Sequence, residues 1–301
     1  MITVTEDSMF ELVQVSENCY YIQNPAKIGL VKLNDNNVCL IDSGNDKEAG
    51  RKVRQILDKN GWHLTAIYNT HFHADHVGGN RYLQSQTGCK AYLPEIECGF
   101  ARHTILEPSF LYGGSPMESL CHKFLMAQDS DCDYLTDDVL PKNLSSIPLP
   151  GHSPGMVGYR TSEDIVFLAD CLSSVETLKK YTIGYVYDIE SYLSTLKTVK
   201  DMKASMFIPA HVEATEDISK LAQYNIDATL DVADHIEEIC KTPISTESVV
   251  KRIFDDYSLR MTMEEYVLIS STVRSYLSWL ESKGRIAHDT ADNMLMWCAK
   301  S

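Results

Sequence analysis

The stretch His71-Phe72-His73-Ala74-Asp75-His76-Val77-Gly78-Gly79 decides how this sequence is interpreted. Its first six residues contain three imidazoles and one carboxylate, which are ligands that zinc and similar divalent ions accept. The preceding run, residues 64–69, is apolar and rich in residues that favour strands. The pattern therefore predicts a metal-binding loop at the end of a β-strand, where α/β proteins often place their chemistry.

Composition limits the classes to which the chain can belong. The 301 residues are 44% hydrophobic and 23% charged, as expected for a globular protein with one large domain, or one domain and a small appendage. The formal net charge of −15 would repel a phosphate backbone, which disfavours a general nucleic-acid binder but is compatible with a local basic patch.

The N-terminal sequence and the spacing of the cysteines predict the cellular compartment. Residues 1–12 contain neither a basic start nor a long apolar run, and no segment approaches the roughly 20 apolar residues of a membrane span. The nine cysteines are scattered, odd in number and never spaced as CxxC. We therefore expect a cytoplasmic protein with reduced thiols and no membrane partner.

Hydrophobic periodicity predicts short strands in the first third of the chain, including a hairpin around Asn34–Asn37, and then a helix over Lys47–Asn60. A short helix is expected over 79–88. Residues 105–138 interrupt the strand pattern and are interpreted as an inserted lid or pocket wall, with a helix around Ser119–Ala127. Strand-rich and helical segments alternate twice, which predicts two packed sheets with helices outside.

The character changes near residue 217 to mostly helix, followed by two short strands after Gly284. That order is typical of a winged helix. We therefore predict a catalytic domain at 1–216 and a small helical, winged-helix-like domain at 217–301. From Thr246 to Ser301 the charges nearly balance, so this module lacks the basic stripe of a typical DNA reader.

Three further residues that can bind a metal are predicted to lie at strand ends. His152 is in the turn-rich loop 150–155, Asp170 follows the apolar strand 165–169, and His211 follows 208–210. Strand ends that meet at one sheet edge can gather such distant residues into one site.

Five motifs in this order resemble the metallo-β-lactamase fold superfamily over about the first 215 residues. In chain order they are Leu40–Gly44, which is similar to the IDTG segment of the family, then HxHxDH, GHSPG, a strand ending in Ala-Asp, and Pro-Ala-His. The resemblance implies an α/β fold, a four-layer αβ/βα sandwich with the site at one sheet edge. The glyoxalase II-like branch is the most similar.

The same resemblance implies two divalent metal ions. Zinc is expected, and iron and manganese also accept these ligands. The implied ligands are His71, His73 and His152 for one ion, Asp75, His76 and His211 for the other, and Asp170 as the bridge. Asp42 would orient imidazoles from behind the ligands.

These implications predict a dinuclear metal-dependent hydrolase that cleaves a small thioester or ester with a bridging hydroxide, with Asp75 and Asp170 as catalytic residues. His73 stands where flavodiiron proteins have an acidic residue, which disfavours diiron redox chemistry. Three alternatives stay open: a phosphodiesterase or endoribonuclease acting on single-stranded RNA, a mononuclear iron persulfide dioxygenase, and a non-enzymatic, ligand-sensing DNA-binding regulator.

Four residues outside the metal motifs are candidates for lining a substrate pocket: Tyr112, His122, Tyr181 and Tyr185. The expected partner is a small-molecule substrate, and a homodimer is compatible with the sequence. The motifs do not specify which ester bond is cleaved.

Overall fold

A computed structural model describes residues 9–300 of the chain. Contacts between α-carbons divide it into two compact units. The first comprises 9–149, 155–170 and 203–217, and the second comprises 150–154, 171–202 and 218–300. The predicted domain boundary at 216/217 stays a prediction. Residues 1–8 and 301, at the ends of the two predicted domains, lie outside the described residues.

The first unit contains a seven-stranded sheet whose strands follow one another in chain order. The strands are β1 (Leu12–Gln14), β2 (Cys19–Ile22), β3 (Ile28–Lys32), β4 (Asn37–Ile41), β5 (His63–Tyr68), β6 (Lys90–Leu93) and β7 (Asp133–Tyr134). Strands β1 to β4 are antiparallel, and β4 to β7 are parallel. The predicted hairpin joins β3 and β4, where the Asn34 side chain accepts the backbone N–H groups of Asn36 and Asn37.

A second sheet of the first unit has the strand order β11-β10-β9-β8. Its strands are β8 (Leu144–Pro148), β9 (Val157–Thr161), β10 (Ile165–Ala169) and β11 (Met206–Pro209). Only β10 and β11 are parallel. Side chains of both sheets form one buried cluster, in which Tyr68 and Tyr159 have ring centroids 6.3 Å apart. The two packed sheets predicted from the sequence are therefore present.

Helices cover the other face of the seven-stranded sheet. They are α1 (Lys47–Asn60), α2 (Ala74–Val77), α3 (Asn80–Thr87) and α4 (Glu95–Arg102). Helix α5 (Leu106–Tyr112) follows α4, and its Phe110 ring contacts Phe100 edge-on at 5.8 Å. Helix α1 has the predicted bounds because Asp46 caps its N-terminus by accepting the Ala49 N–H, and Gly61, at φ +67°, ends it. Its buried residues Val53 and Leu57 join the core cluster beneath the sheet.

The helix predicted around Ser119–Ala127 is wrong. The structure has only a 3₁₀ turn at Glu118–Leu120 there. Leu120, Leu125 and Ala127 are the buried apolar residues, and their spacing of five and two does not repeat every three or four residues. Phe124, which a helix would need to bury, is 70% exposed.

The second unit is mostly helical. Its elements are α6 (Val175–Tyr181), α7 (Ile189–Asp201), α8 (Ser219–Ile239), β12 (Ile244–Ser245), α9 (Thr246–Asp256), α10 (Met263–Ser282), β13 (Ile286–Ala291) and β14 (Met294–Ala299). The three strands form an antiparallel sheet in the order β12-β14-β13. Helices followed by a hairpin match the predicted order of elements, whereas the winged-helix assignment stays a prediction. Within 9–300, none of the helices has the length and apolar character needed to cross a membrane.

Candidate metal centre

Three strand ends of the first unit are followed by predicted ligands, and a fourth is followed by Asp42, which is predicted to orient them. Asp42 follows β4, and the motif that begins at His71 follows β5, its parallel neighbour. Asp170 follows β10, and His211 follows β11, which is also a parallel neighbour. Since parallel strands end at the same edge of a sheet, strand pairing brings Asp42 next to the motif and Asp170 next to His211. The packing of the two sheets brings the two pairs together.

Asp75, His76, Asp170 and His211 form one cluster, in which one ligand atom from each residue lies within 4.8 Å of the others. Asp170 divides its two oxygens between the histidines. Its Oδ1 lies 3.1 Å from His76 Nε2, and its Oδ2 lies 3.1 Å from His211 Nε2. Asp75 Oδ2 lies 3.3 Å from His211 Nε2 and 3.7 Å from His76 Nε2.

One buried nitrogen indicates that this cluster fits a metal ion. His76 is fully buried, and among the described residues its Nε2 makes no hydrogen bond of acceptable geometry, although Asp170 Oδ1 lies 3.1 Å away and Asp75 Oδ2 3.7 Å away. A buried polar atom without a partner costs free energy, and a metal ion would satisfy it. Two imidazole nitrogens and two carboxylates are also a donor set that zinc, iron and manganese accept.

The cluster is open on one side. The side chains of Asp75 and His211 are 37% and 39% exposed, whereas that of His76 is 0% exposed. A substrate would therefore reach the cluster from the side of Asp75 and His211.

His71 and His73 form a second pair beside this cluster. Their Nε2 and Nδ1 atoms are 3.0 Å apart, close to the roughly 3.3 Å that separates two nitrogens on one tetrahedral zinc ion. The His71 ring centroid is 4.1 Å from that of His76, so the two groups adjoin. His152, the third predicted ligand of this group, lies in the second unit, where its Nδ1 is 3.2 Å from the Tyr185 carbonyl oxygen.

The buried Asp42 carboxylate connects both groups of histidines. It accepts the Thr70 N–H at 2.8 Å and the Thr70 hydroxyl at 2.9 Å, and it lies 2.8 Å from His76 Nδ1. Thr70 Oγ1 is in turn 2.9 Å from His71 Nδ1. If the Nδ1 atoms of His71 and His76 each carry the ring proton, every donor in this series of hydrogen bonds has an acceptor. The Nε2 atoms of both rings are then left as metal ligands.

The backbone is strained at two residues that set the direction of the Asp42 and Asp170 side chains. Asp42 has φ +63°, and Ala169, directly before Asp170, has φ +50°. Residues other than glycine rarely adopt these angles, and they cluster at functional sites. In both cases the strained residue turns the chain at the end of its strand.

The cluster attracts positive charge. Burial would raise the pKa of the Asp170 carboxyl, but His211 and His76 hold it well below its ordinary range. His76 and His211 likewise outweigh burial and lower the pKa of Asp75. Burial lowers the pKa of His211, but Asp170 and Asp75 outweigh that effect and raise it to about 10. The carboxylates thus favour a cation at this place, whether a proton or a metal ion.

Three polar residues near the motif were missed in the sequence. Thr70 precedes His71 and carries the link to Asp42. Glu97 is fully buried and accepts the Phe72 N–H at 3.1 Å. Glu107 is also buried, and burial, together with the charges of Asp75 and Glu97, raises the pKa of its carboxyl well above the usual range. For Glu97 and Glu107, the sequence offered one sign of a special role: each is a glutamate on the apolar face of a short helix.

Comparison with known proteins decides the family. The sequence profile described as the metallo-beta-lactamase superfamily matches residues 15–211, which is more than half of the chain. The chain belongs to the metallo-beta-lactamase superfamily. This membership confirms the predicted family.

Two curated relatives illustrate the similarity. Over 116 residues the chain is 34% identical to hydroxyacylglutathione hydrolase of Maricaulis maris strain MCS10, which covers 38% of this chain and 36% of that protein. Over 141 residues it is 26% identical to the probable metallo-hydrolase YqgX of Bacillus subtilis strain 168, which covers 46% of this chain and 63% of that protein. Each match spans less than two thirds of the relative.

Solved structures confirm the predicted α/β fold class of the superfamily. A beta-lactamase domain protein from Burkholderia ambifaria has a TM-score of 0.75 at 15% identity, covering 97% of this chain and 94% of that chain. A metallo-beta-lactamase family protein from Thermus thermophilus has a TM-score of 0.70 at 15% identity, covering 96% of this chain and 97% of that chain. At this identity the likeness concerns the fold alone.

The four pocket residues predicted for this superfamily member are divided between the units. Tyr112 ends α5 and is exposed, and His122 lies in the following loop, where its Nδ1 accepts the Phe124 N–H. In the second unit, the Tyr185 ring contacts His152 edge-on at 5.6 Å, and Tyr181 lines a cavity of about 340 Å³. Their role in binding a substrate stays a prediction.

Proposed function

We propose that this chain is a metal-dependent hydrolase that uses two divalent cations to cleave a small thioester or ester. The observation that carries the proposal is the position of Asp170, with one oxygen toward His76 and the other toward His211. Curated relatives that match parts of the chain include hydroxyacylglutathione hydrolase and a probable metallo-hydrolase, which supports the reaction class.

The proposed ligand set is the one implied by the motifs. His71, His73 and His152 would hold one cation, Asp75, His76 and His211 would hold the other, and Asp170 would be shared by the two. We propose zinc for both positions, since its borderline character suits mixed nitrogen and oxygen ligands. The bound cations supply a Lewis acid for the substrate carbonyl and make hydroxide available near neutral pH.

The protein residues have separate tasks in this proposal. Asp42 holds the ring of His76 with the proton on Nδ1, and Thr70 does the same for His71. Asp170 sets the separation between the two sets of ligands. Asp75 lies on the open side of the cluster, so its carboxylate can orient the attacking water.

A thioester panel tests the proposal. Metal-depleted full-length protein should be inactive, and zinc should restore the activity. His71→Ala should remove it, while His63→Ala, which changes an exposed histidine at the start of β5, the strand that precedes His71, should not. Turnover that survives chelation would contradict the proposal, and so would inactivity toward every thioester and ester after zinc is restored.

A small-molecule substrate is favoured over nucleic acid by the charges of the C-terminal segment. The segment from Thr246 to Ser301 has seven basic side chains. Among the described residues, five of them form ion pairs with carboxylates: Lys251, Arg252, Arg274, Lys283 and Arg285. The neighbouring carboxylates offset these charges, so the segment lacks the net positive patch that favours binding of a phosphate backbone. We propose that the winged-helix-like domain has a structural role. A shift of single-stranded RNA or of DNA in a gel retardation assay at low salt would contradict this.

A further inference from the structure

Glu97 is a charged residue on the buried face of α4. It is 0% exposed, whereas Glu95, two residues earlier on the same helix, is exposed. Burying a carboxylate costs several kcal/mol unless hydrogen bonds satisfy it. The partners of Glu97 therefore indicate why the residue is there.

Both oxygens of Glu97 accept a backbone N–H from a segment next to predicted ligands. Oε2 accepts the Phe72 N–H at 3.1 Å, and Oε1 accepts the Gly155 N–H at 2.6 Å. Phe72 stands between His71 and His73 in the chain, and Gly155 ends the Gly-His-Ser-Pro-Gly loop that contains His152. One side chain thus holds both segments from the same helix.

Two further contacts show that α4 supports these segments closely. The Phe72 ring stacks on Phe100 of the same helix, with centroids 4.1 Å apart and planes 19° from parallel. A Cβ added to Gly155 would come within 3.3 Å of Glu97 Oε1, which is tighter than ordinary packing. The glycine therefore allows the close approach of its N–H to the carboxylate.

We propose that Glu97 is a positioning residue, which holds the loop of His71 and His73 and the loop of His152 at the separation that one shared cation requires. This assignment rests on the dinuclear centre proposed above. A carboxylate suits the task because it has two equivalent acceptors and no donor. A glutamine would keep one acceptor but would turn its amide N–H₂ toward the other backbone N–H.

Glu97→Gln tests the assignment because it preserves the volume of the side chain. Cobalt(II) is titrated into the metal-depleted full-length protein, and the affinity of each equivalent is measured by competition with a chelator and by the visible absorption of the bound ion. We expect one equivalent to bind about 10- to 100-fold more weakly, with an altered spectrum, and the other to be unchanged. Glu95→Gln, the matched control, should bind both as the wild type does.

Glu97→Asp gives a second variant, with the same charge and one methylene less. It can reach one backbone N–H but not both, so we expect the same equivalent to weaken. Wild-type affinity for both equivalents in both variants would overturn the assignment. Equal weakening of both equivalents, together with a lower melting temperature of the metal-depleted protein, would also overturn it and indicate a purely structural role. Wild-type protein that binds two equivalents but cleaves no ester would contradict the proposed reaction alone.

Discussion

Asp42→Asn should weaken metal binding at both groups of histidines while leaving the fold intact. Asp42 holds His76 directly and His71 through Thr70. The three distances are 2.8 Å from Asp42 to His76, 2.9 Å from Asp42 to the Thr70 hydroxyl, and 2.9 Å from that hydroxyl to His71. Asparagine has nearly the same shape, and its amide oxygen can still accept the Thr70 N–H that now lies 2.8 Å from Asp42 Oδ1.

The defect arises from the amide N–H₂ group that replaces the second oxygen. It faces His76 Nδ1, to which it can only donate, so the imidazole must carry its proton on Nε2 instead. A protonated Nε2 cannot bind a metal ion. Replacing such an orienting carboxylate typically costs 10- to 100-fold in metal affinity, or about 1.4–2.7 kcal/mol.

The assay is chelator competition with zinc on the purified full-length protein, with thermal unfolding of the metal-depleted protein as the check on folding. Asp58→Asn is the matched control, since Asp58 is exposed and forms a surface ion pair with Arg54. Thr70→Val should weaken only the group that contains His71. If Asp42→Asn binds two zinc ions with wild-type affinity, the proposed role of the Asp42 chain in setting the tautomers is refuted.

Three other perturbations have defined outcomes. Asp170→Ala removes the carboxylate that faces both His76 and His211. Metal analysis should therefore find at most one equivalent of bound metal, and turnover should fall by at least about 100-fold. Two equivalents of metal with normal turnover would rule out Asp170 as the bridge. Glu107 has a raised pKa in the folded protein, so it costs stability as the pH rises above the ordinary glutamate range. Glu107→Gln should therefore raise the melting temperature of the metal-depleted protein near pH 8, with no difference near about pH 4, and an unchanged melting temperature at both would contradict this. Gly78→Ala would place a Cβ 2.3 Å from the Asn45 carbonyl carbon and should destabilise the protein by about 2 kcal/mol or more in urea unfolding. Gly99→Ala, whose Cβ would meet no described residue within 4 Å, should stabilise it by about 0.5–1 kcal/mol. Equal stability of the two variants would show that the loop around Gly78 can relax.

Much of the fold followed from local pattern. Helix α1 and the hairpin around Asn34–Asn37 were predicted because capping, turn chemistry and hydrophobic spacing act over a few residues. The mostly helical character predicted after residue 217 is confirmed, for example by α10, which runs over Met263–Ser282 without a break. The segment 119–127 misled because its apolar composition suits a helix although its burial pattern does not.

By itself, the sequence determined which residue types could bind metal ions and the order in which they occur, because motif chemistry is a property of short stretches. Only the tertiary structure decided which atoms meet. Asp42 and His76 lie 34 residues apart in the chain, and Glu97 and Gly155 lie 58 apart. Hydrogen bonds over such separations depend on how sheets and helices pack, and no local periodicity encodes that packing. For this reason the imidazoles were evident from the motif, while the contacts by which Thr70 and Glu97 hold the imidazoles or their loops in place became visible only in the folded chain.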